Sequence, residues 1–161
     1  MLSFSRGALG AAAFALCAVS TAPANAAGCW TQAEVSAAKV HEMQPRLMVA
    51  AQGCQASGVD IRASYDKFIA TKRSALSVAS DRLKGHFLAD DMGYDRYTTA
   101  LEQAYGAAVA SRATCEEAAD IAREAAVSKG DLTTVAARLI TVATLPSAVC
   151  RADAPIVVAS R

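Results

Sequence analysis

The chain lacks the short motifs by which the common chemistries are read from sequence. It has no Cys-x-x-Cys, so neither a thioredoxin-like redox pair nor a zinc knuckle is indicated. It has no Cys-x-x-Cys-His, which excludes covalent c-type haem. No Gly-x-Ser-x-Gly elbow presents a serine nucleophile. No phosphate-binding loop and no Gly-x-Gly-x-x-Gly stands ready for a nucleotide cofactor, so no cofactor is expected. An excess of one charge is also missing: 16 Lys and Arg face 15 Asp and Glu, for a net charge of +1. That balance gives no electrostatic footprint for nucleic acid or an anionic membrane surface. Aromatic residues are sparse at 6%, and β-branched runs are few.

What is present is alanine in quantity and a composition 53% hydrophobic and 19% charged, which belongs to a folded globular protein. Residues 1–26 read as a secretory leader. Arg6 precedes an apolar run over 8–19, and Ala24-Asn25-Ala26 supplies the small residues of a cleavage site. The run is too short to span a bilayer, which takes roughly 20 residues. Cys17 is a poor lipidation site, because the bulky Leu16 stands where a small residue is wanted. The expectation is a periplasmic or secreted protein, cleaved near Ala26, with no transmembrane segment in the mature chain. Its single domain covers 27–150, followed by a loose tail over 151–161.

The mature chain reads as helix almost throughout. Thr31-Gln32-Ala33-Glu34 is a capping box, opening a helix with Val35, Val40, Met43, Leu47, Ala51 and Cys54 along one face. Pro45 interrupts it, which predicts a kink near 41–44 or two short helices. Asp60 caps a second helix with a stripe of Ile61, Tyr65, Phe68, Ile69, Leu76 and Leu83. A third is expected over about 94–128, with a second capping pattern at Thr114-Cys115-Glu116-Glu117 that allows a break near Arg112. Asp131 caps a fourth, carrying Leu132, Val135, Leu139, Ile140 and Val142 and closed by Leu145-Pro146. The fold class is all-α, and short connections suggest an up-down four-helix bundle.

Four cysteines remain after the leader: Cys29, Cys54, Cys115 and Cys150. An even number in an exported chain implies two disulfides, with three possible pairings. Up-down topology would bring Cys29 to Cys150 and Cys54 to Cys115. Cys29–Cys54 would have to close across a helix of roughly 36 Å, beyond the ~7 Å a bridge allows.

Candidate chemistry is thin. His41 and Glu42 begin like a zinc-protease helix, but Pro45 stands where the second histidine belongs, so a solvated or capping His41 is expected. His86 precedes Asp90 and Asp91, a set that could bind a divalent ion or shuttle protons, beside the plainer reading of a polar surface turn. If the protein is an enzyme, the candidates are His86, Asp90, Asp91 and His41. Glu116, Glu117, Asp120 and Glu124 stand one turn apart, and Arg112 and Arg123 beside them suggest a salt-bridged face. Trp30, Tyr65, Phe68, Phe87, Tyr94, Tyr97 and Tyr105 fit a core, or a pocket wall.

Cys29-Trp30-Thr31-Gln32-Ala33-Glu34-Val35, Leu47-Met48-Val49-Ala50 before Cys54, Gly93-Tyr94-Asp95-Arg96-Tyr97 and Ala104-Tyr105-Gly106 resemble small exported helical proteins of alphaproteobacteria. Some of these carry the label S-adenosylhomocysteine hydrolase, which the residues do not support. That enzyme is large, cytosolic and built on a dinucleotide-binding fold with bound NAD, whereas this chain is short and lacks the glycine fingerprint. No functional residue carries over. The expected role is a non-enzymatic one, binding a protein or small-ligand partner or serving the cell envelope structurally. The alternative is a small periplasmic hydrolase whose His, Asp and Glu groups converge only in the fold.

Overall fold

A computed structural model describes residues 28–108, 111–129 and 131–150. The expected leader and the expected C-terminal tail lie outside the described residues. Among the described residues there are five α-helices: α1 Gln32–Gly53, α2 Arg62–His86, α3 Gly93–Ala108, α4 Arg112–Val127 and α5 Leu132–Leu139. A 3-10 turn, Cys54–Ser57, follows α1 and ends on Gly58, whose φ of 77° is the left-handed conformation that glycine adopts without strain.

α1 begins at the expected capping box. Thr31 Oγ1 accepts the Glu34 amide at 3.3 Å while Glu34 Oε2 accepts the Thr31 amide at 2.7 Å. It runs through Pro45 as one element; of the kink near 41–44 or two short helices expected there, the two helices are not found and no kink is shown. α1 packs against each of the other four helices. Hence Ala37, Ala38, His41, Glu42, Pro45 and Ala50 are buried as well as the Val40–Met43–Leu47–Ala51 stripe. α2 buries Phe68, Leu76, Ala79 and Leu83 against α1 and α4. The alanines of α4 (Ala118, Ala119, Ala122, Ala125, Ala126) are buried, which permits close helix–helix approach.

The expected third helix is broken near Arg112, as its second capping pattern allows, into α3 and α4. Ser111, not Thr114, caps the second of them, its Oγ accepting the Thr114 amide at 3.1 Å. The helix count is therefore five instead of four. The principal contacts place α1 at the centre, with α2 and α4 against each other on one side and α3 against α1.

The last helix is also shorter than expected. Asp131 caps it, accepting the Thr133 amide at 3.2 Å, but it stops at Leu139 and Val142 stands exposed. The β-branched Ile140-Thr141-Val142 run favours leaving the helix there. Residues 140–150 then cross the molecule without regular structure and reach the N-terminal segment. Trp30 pairs with Val149 in an isolated parallel bridge. The Trp30 amide donates to Ala148 at 2.9 Å, and the Cys150 amide donates to Trp30 at 2.9 Å.

Two disulfides complete the frame. Cys29–Cys150 spans 121 residues of sequence and is half-buried, while Cys54–Cys115 spans 61 and is buried between the end of α1 and α4. Each bridge restricts the unfolded chain and stabilises the fold by about 2–4 kcal/mol. The difference in exposure predicts an order of reduction. Under a rising concentration of dithiothreitol, alkylation and mass spectrometry should find Cys29 and Cys150 labelled first. Cys54 and Cys115 should be labelled only as the helical circular dichroism is lost.

Candidate functional site

A group of polar and aromatic side chains gathers along α1, where the α2–α3 turn, α3 and residues 140–150 meet it. Their centre is Glu42, which is 1% exposed. Its carboxylate accepts three hydrogen bonds: from the Tyr105 hydroxyl, from the Thr144 amide at 2.9 Å, and from the Thr144 hydroxyl at 2.7 Å. The Tyr97 hydroxyl donates to the Thr144 carbonyl at 3.0 Å. Burial raises the phenol pKa of both Tyr97 and Tyr105, and the Glu42 carboxylate adds to each shift. Thr144 is thus clamped from both sides by buried groups.

His41, on the same helix, is 4% exposed and not solvated as expected. Its Nε2 lies 3.1 Å from Thr98 Oγ1, and its ring packs between Tyr94 and Tyr97 with centroids 5.4 and 6.0 Å away. Nδ1 has no hydrogen-bond partner among the described residues. Burial lowers the His41 pKa to about 4, so the ring is neutral at physiological pH.

His86 lies at the end of α2, in contact with Trp30 rather than free on a surface turn. Its ring stacks on the indole at 4.1 Å, with Phe87 and Tyr97 against the other sides of Trp30. His86 Nδ1 meets Glu34 Oε1 at 3.1 Å, which puts a histidine and a carboxylate within hydrogen-bond reach. Burial works against ionisation of Glu34, but hydrogen bonds from Thr31 and from His86 outweigh it and hold the carboxyl below its ordinary value. The capping box that starts α1 therefore also presents a charge to His86. Trp30 Nε1–H donates to Ser147 Oγ at 3.0 Å.

Two adjoining cavities open beside this cluster. The larger, about 310 Å³, is walled chiefly by Phe87, Tyr97, Leu101, Leu145 and Pro146, with Arg96 and Asp90 also in its lining. Arg96 and Asp90 are paired. The smaller, about 250 Å³, is lined by Gly28, His86, Phe87, Ala89, Asp90 and Ser147. Phe87 and Asp90 are common to both. Gly93 is required here by contact: a Cβ on it would lie 2.6 Å from the Phe87 ring. A third cavity, about 400 Å³, lies between α1 and α2 and is walled mainly by alanines and valines, away from the aromatic cluster.

Of the sequence candidates, His86 and Asp90 share a cavity, Asp91 does not line it, and His41 lies deeper in the core. Among the described residues no group of three or more His, Cys, Asp or Glu is placed to hold a metal ion. The acidic residues of α4 are ion-paired: Glu116 with Arg112, Asp120 with Arg123, Glu117 with Arg46 and Glu124 with Arg138. Sequence reasoning missed Glu34, Glu42, Thr144 and Ser147. Glu34 carried the signal of its capping box and Glu42 that of an incomplete His-Glu motif, and neither pointed to the contacts it makes. No protein-family model, no curated protein and no solved structure matches the chain.

Two consequences can be measured. Unfolded His41 titrates near its ordinary 6.5 while folded His41 titrates at about 4. The unfolded state therefore binds the proton first. His41's contribution is complete above pH 6.5 and is lost as pH falls toward 4, up to about 3 kcal/mol. Urea unfolding across that range should show the slope, and His41→Gln should flatten it. Glu42→Gln places an amide where three donors converge, and should lower stability by about 1–3 kcal/mol in the same assay at pH 7.

Proposed function

We propose that this is an exported ligand-binding protein of the bacterial envelope, holding an apolar group in the cleft between Phe87, Tyr97, Leu101, Leu145 and Pro146. The observation that carries this reading is the construction of the cleft. It is an apolar recess of about 310 Å³ whose walls come from α3, the α2–α3 turn and residues 144–146. The last of these walls is fixed by hydrogen bonds from Thr144 to buried Glu42 and from buried Tyr97 to Thr144. Pre-formed concave apolar sites with a few polar groups at one end are where small ligands bind. The volume lies at the low end of that class, so it suits a single apolar side chain or a short alkyl chain. Two disulfides suit an oxidising compartment, and no helix of the described residues is long and apolar enough to cross a membrane.

Trp30 is the only tryptophan, and it touches Phe87 and Tyr97 of the cleft wall. Titration with hexanol should therefore change Trp30 fluorescence saturably. Ala100→Phe, which fills the cleft from α3, should abolish the saturable change and leave the helical circular dichroism intact. A linear, unsaturable response in the unaltered protein would defeat the reading.

A further inference from the structure

The geometry points to a second, chemical role at the mouth of the cleft: Ser147 is a nucleophile and His86 its general base, acting on an ester of a short acyl chain. One indole braces both groups. His86 stacks on the Trp30 ring at 4.1 Å, and Trp30 Nε1–H donates to Ser147 Oγ at 3.0 Å. Ser147 and His86 line the same cavity of about 250 Å³, and Ser147 is exposed to it. Ser147 is also held on both flanks. Thr144 is bound to Glu42, and residues 148–150 are paired to Trp30 and closed by Cys29–Cys150. A surface serine in a segment without regular structure rarely has its position so tightly determined.

The electronic arrangement suits proton abstraction. His86 Nδ1 lies 3.1 Å from the Glu34 carboxylate, which favours the tautomer with its proton on Nδ1 and leaves Nε2 as the base. Glu34 acts here as a positioning residue. The indole donor occupies a lone pair of Ser147 Oγ and stabilises negative charge developing on it, while the hydroxyl proton is left free to be given away. In the reaction, Ser147 Oγ bonds to the ester carbonyl carbon as its proton passes to His86 Nε2. The carbon–oxygen bond to the alcohol then breaks, and the leaving alkoxide takes that proton. Water adds to the acyl carbon by the same route, the Oγ–carbon bond breaks, and the proton returns to Ser147. The acyl chain would lie in the adjoining apolar cleft across Phe87. This half of the inference rests on the binding reading above; the nucleophile does not.

The test is covalent labelling of the oxidised, full-length mature protein with an ethyl and a hexyl fluorophosphonate, located by peptide mass spectrometry. Ser147 should carry the label, Ser147→Ala should carry none, and His86→Gln should label at least ~100-fold more slowly. Glu34→Gln, which preserves the capping box, should slow labelling and move its pH midpoint downward. The hexyl probe should react at least ~10-fold faster than the ethyl probe. If His86→Gln fails to fold, the unaltered protein decides. There the labelling rate and the fluorescence of Trp30, on which His86 stacks, are followed across pH, and the two must share one midpoint. An unlabelled Ser147, a rate indifferent to His86, or separate midpoints would overturn the nucleophile. Equal rates for the two probes would overturn the acyl site alone.

Discussion

The structure turns on a buried carboxylate. Glu42 projects from the middle of the central helix and is almost wholly removed from water. An isolated carboxylate there would cost far more than the fold could absorb. It is tolerable because three donors converge on it, one from α3 and two from a single residue, Thr144. The requirement works in both directions. The core can accept Glu42 only if residues 140–150 fold back over α1, and those residues have no regular hydrogen-bond ladder of their own. A charge that looks like a defect in the core is therefore what attaches the irregular C-terminal part of the domain to the helices.

Once Thr144 is held, the remaining geometry at that end follows. Leu145 and Pro146 are set opposite Tyr97 and Leu101, and a recess is left between them. Ser147 comes under the Trp30 indole, and Ala148 and Cys150 pair with Trp30 on the other side. Four aromatic residues meet here: Trp30, Phe87, Tyr94 and Tyr97 form one contacting group with both histidines. The opposite end is held differently. There Cys54–Cys115 and the alanines of α4 give close packing, with the Arg46–Glu117 ion pair at its edge.

The sequence made the helical class legible, because apolar spacing at three and four residues is a property of local geometry. It made the start of α1 legible through Thr31 and Glu34, and it made two disulfides legible through an even cysteine count. It did not reveal that His41 and Glu42 are buried. Periodicity assigns a polar residue to the outer face of a helix, and that inference fails for a helix enclosed on all sides. Pro45 did not divide α1, since the surrounding helices hold it in place. The separation of α3 from α4 depends on Ser111, a cap three residues ahead of the more conspicuous Thr114-Cys115-Glu116 pattern. Ser147 was invisible for another reason: its surroundings come from residues far away in sequence, Trp30 at 117 positions and His86 at 61.

The two disulfides differ in what they protect. Cys54–Cys115 joins elements that already pack through Leu47, Ala51 and the α4 alanines, so it reinforces a core that exists without it. Cys29–Cys150 closes the backbone pairing that, among the described residues, joins the N-terminal segment to residues 148–150. That pairing is two hydrogen bonds long, and two such bonds contribute only about 1–3 kcal/mol between them. A restraint of the size a long-loop disulfide supplies is comparable with the whole interaction. The covalent bond therefore matters most where non-covalent order is thinnest, at the edge of the cleft. That bond also supports the arrangement of Trp30, His86 and Ser147.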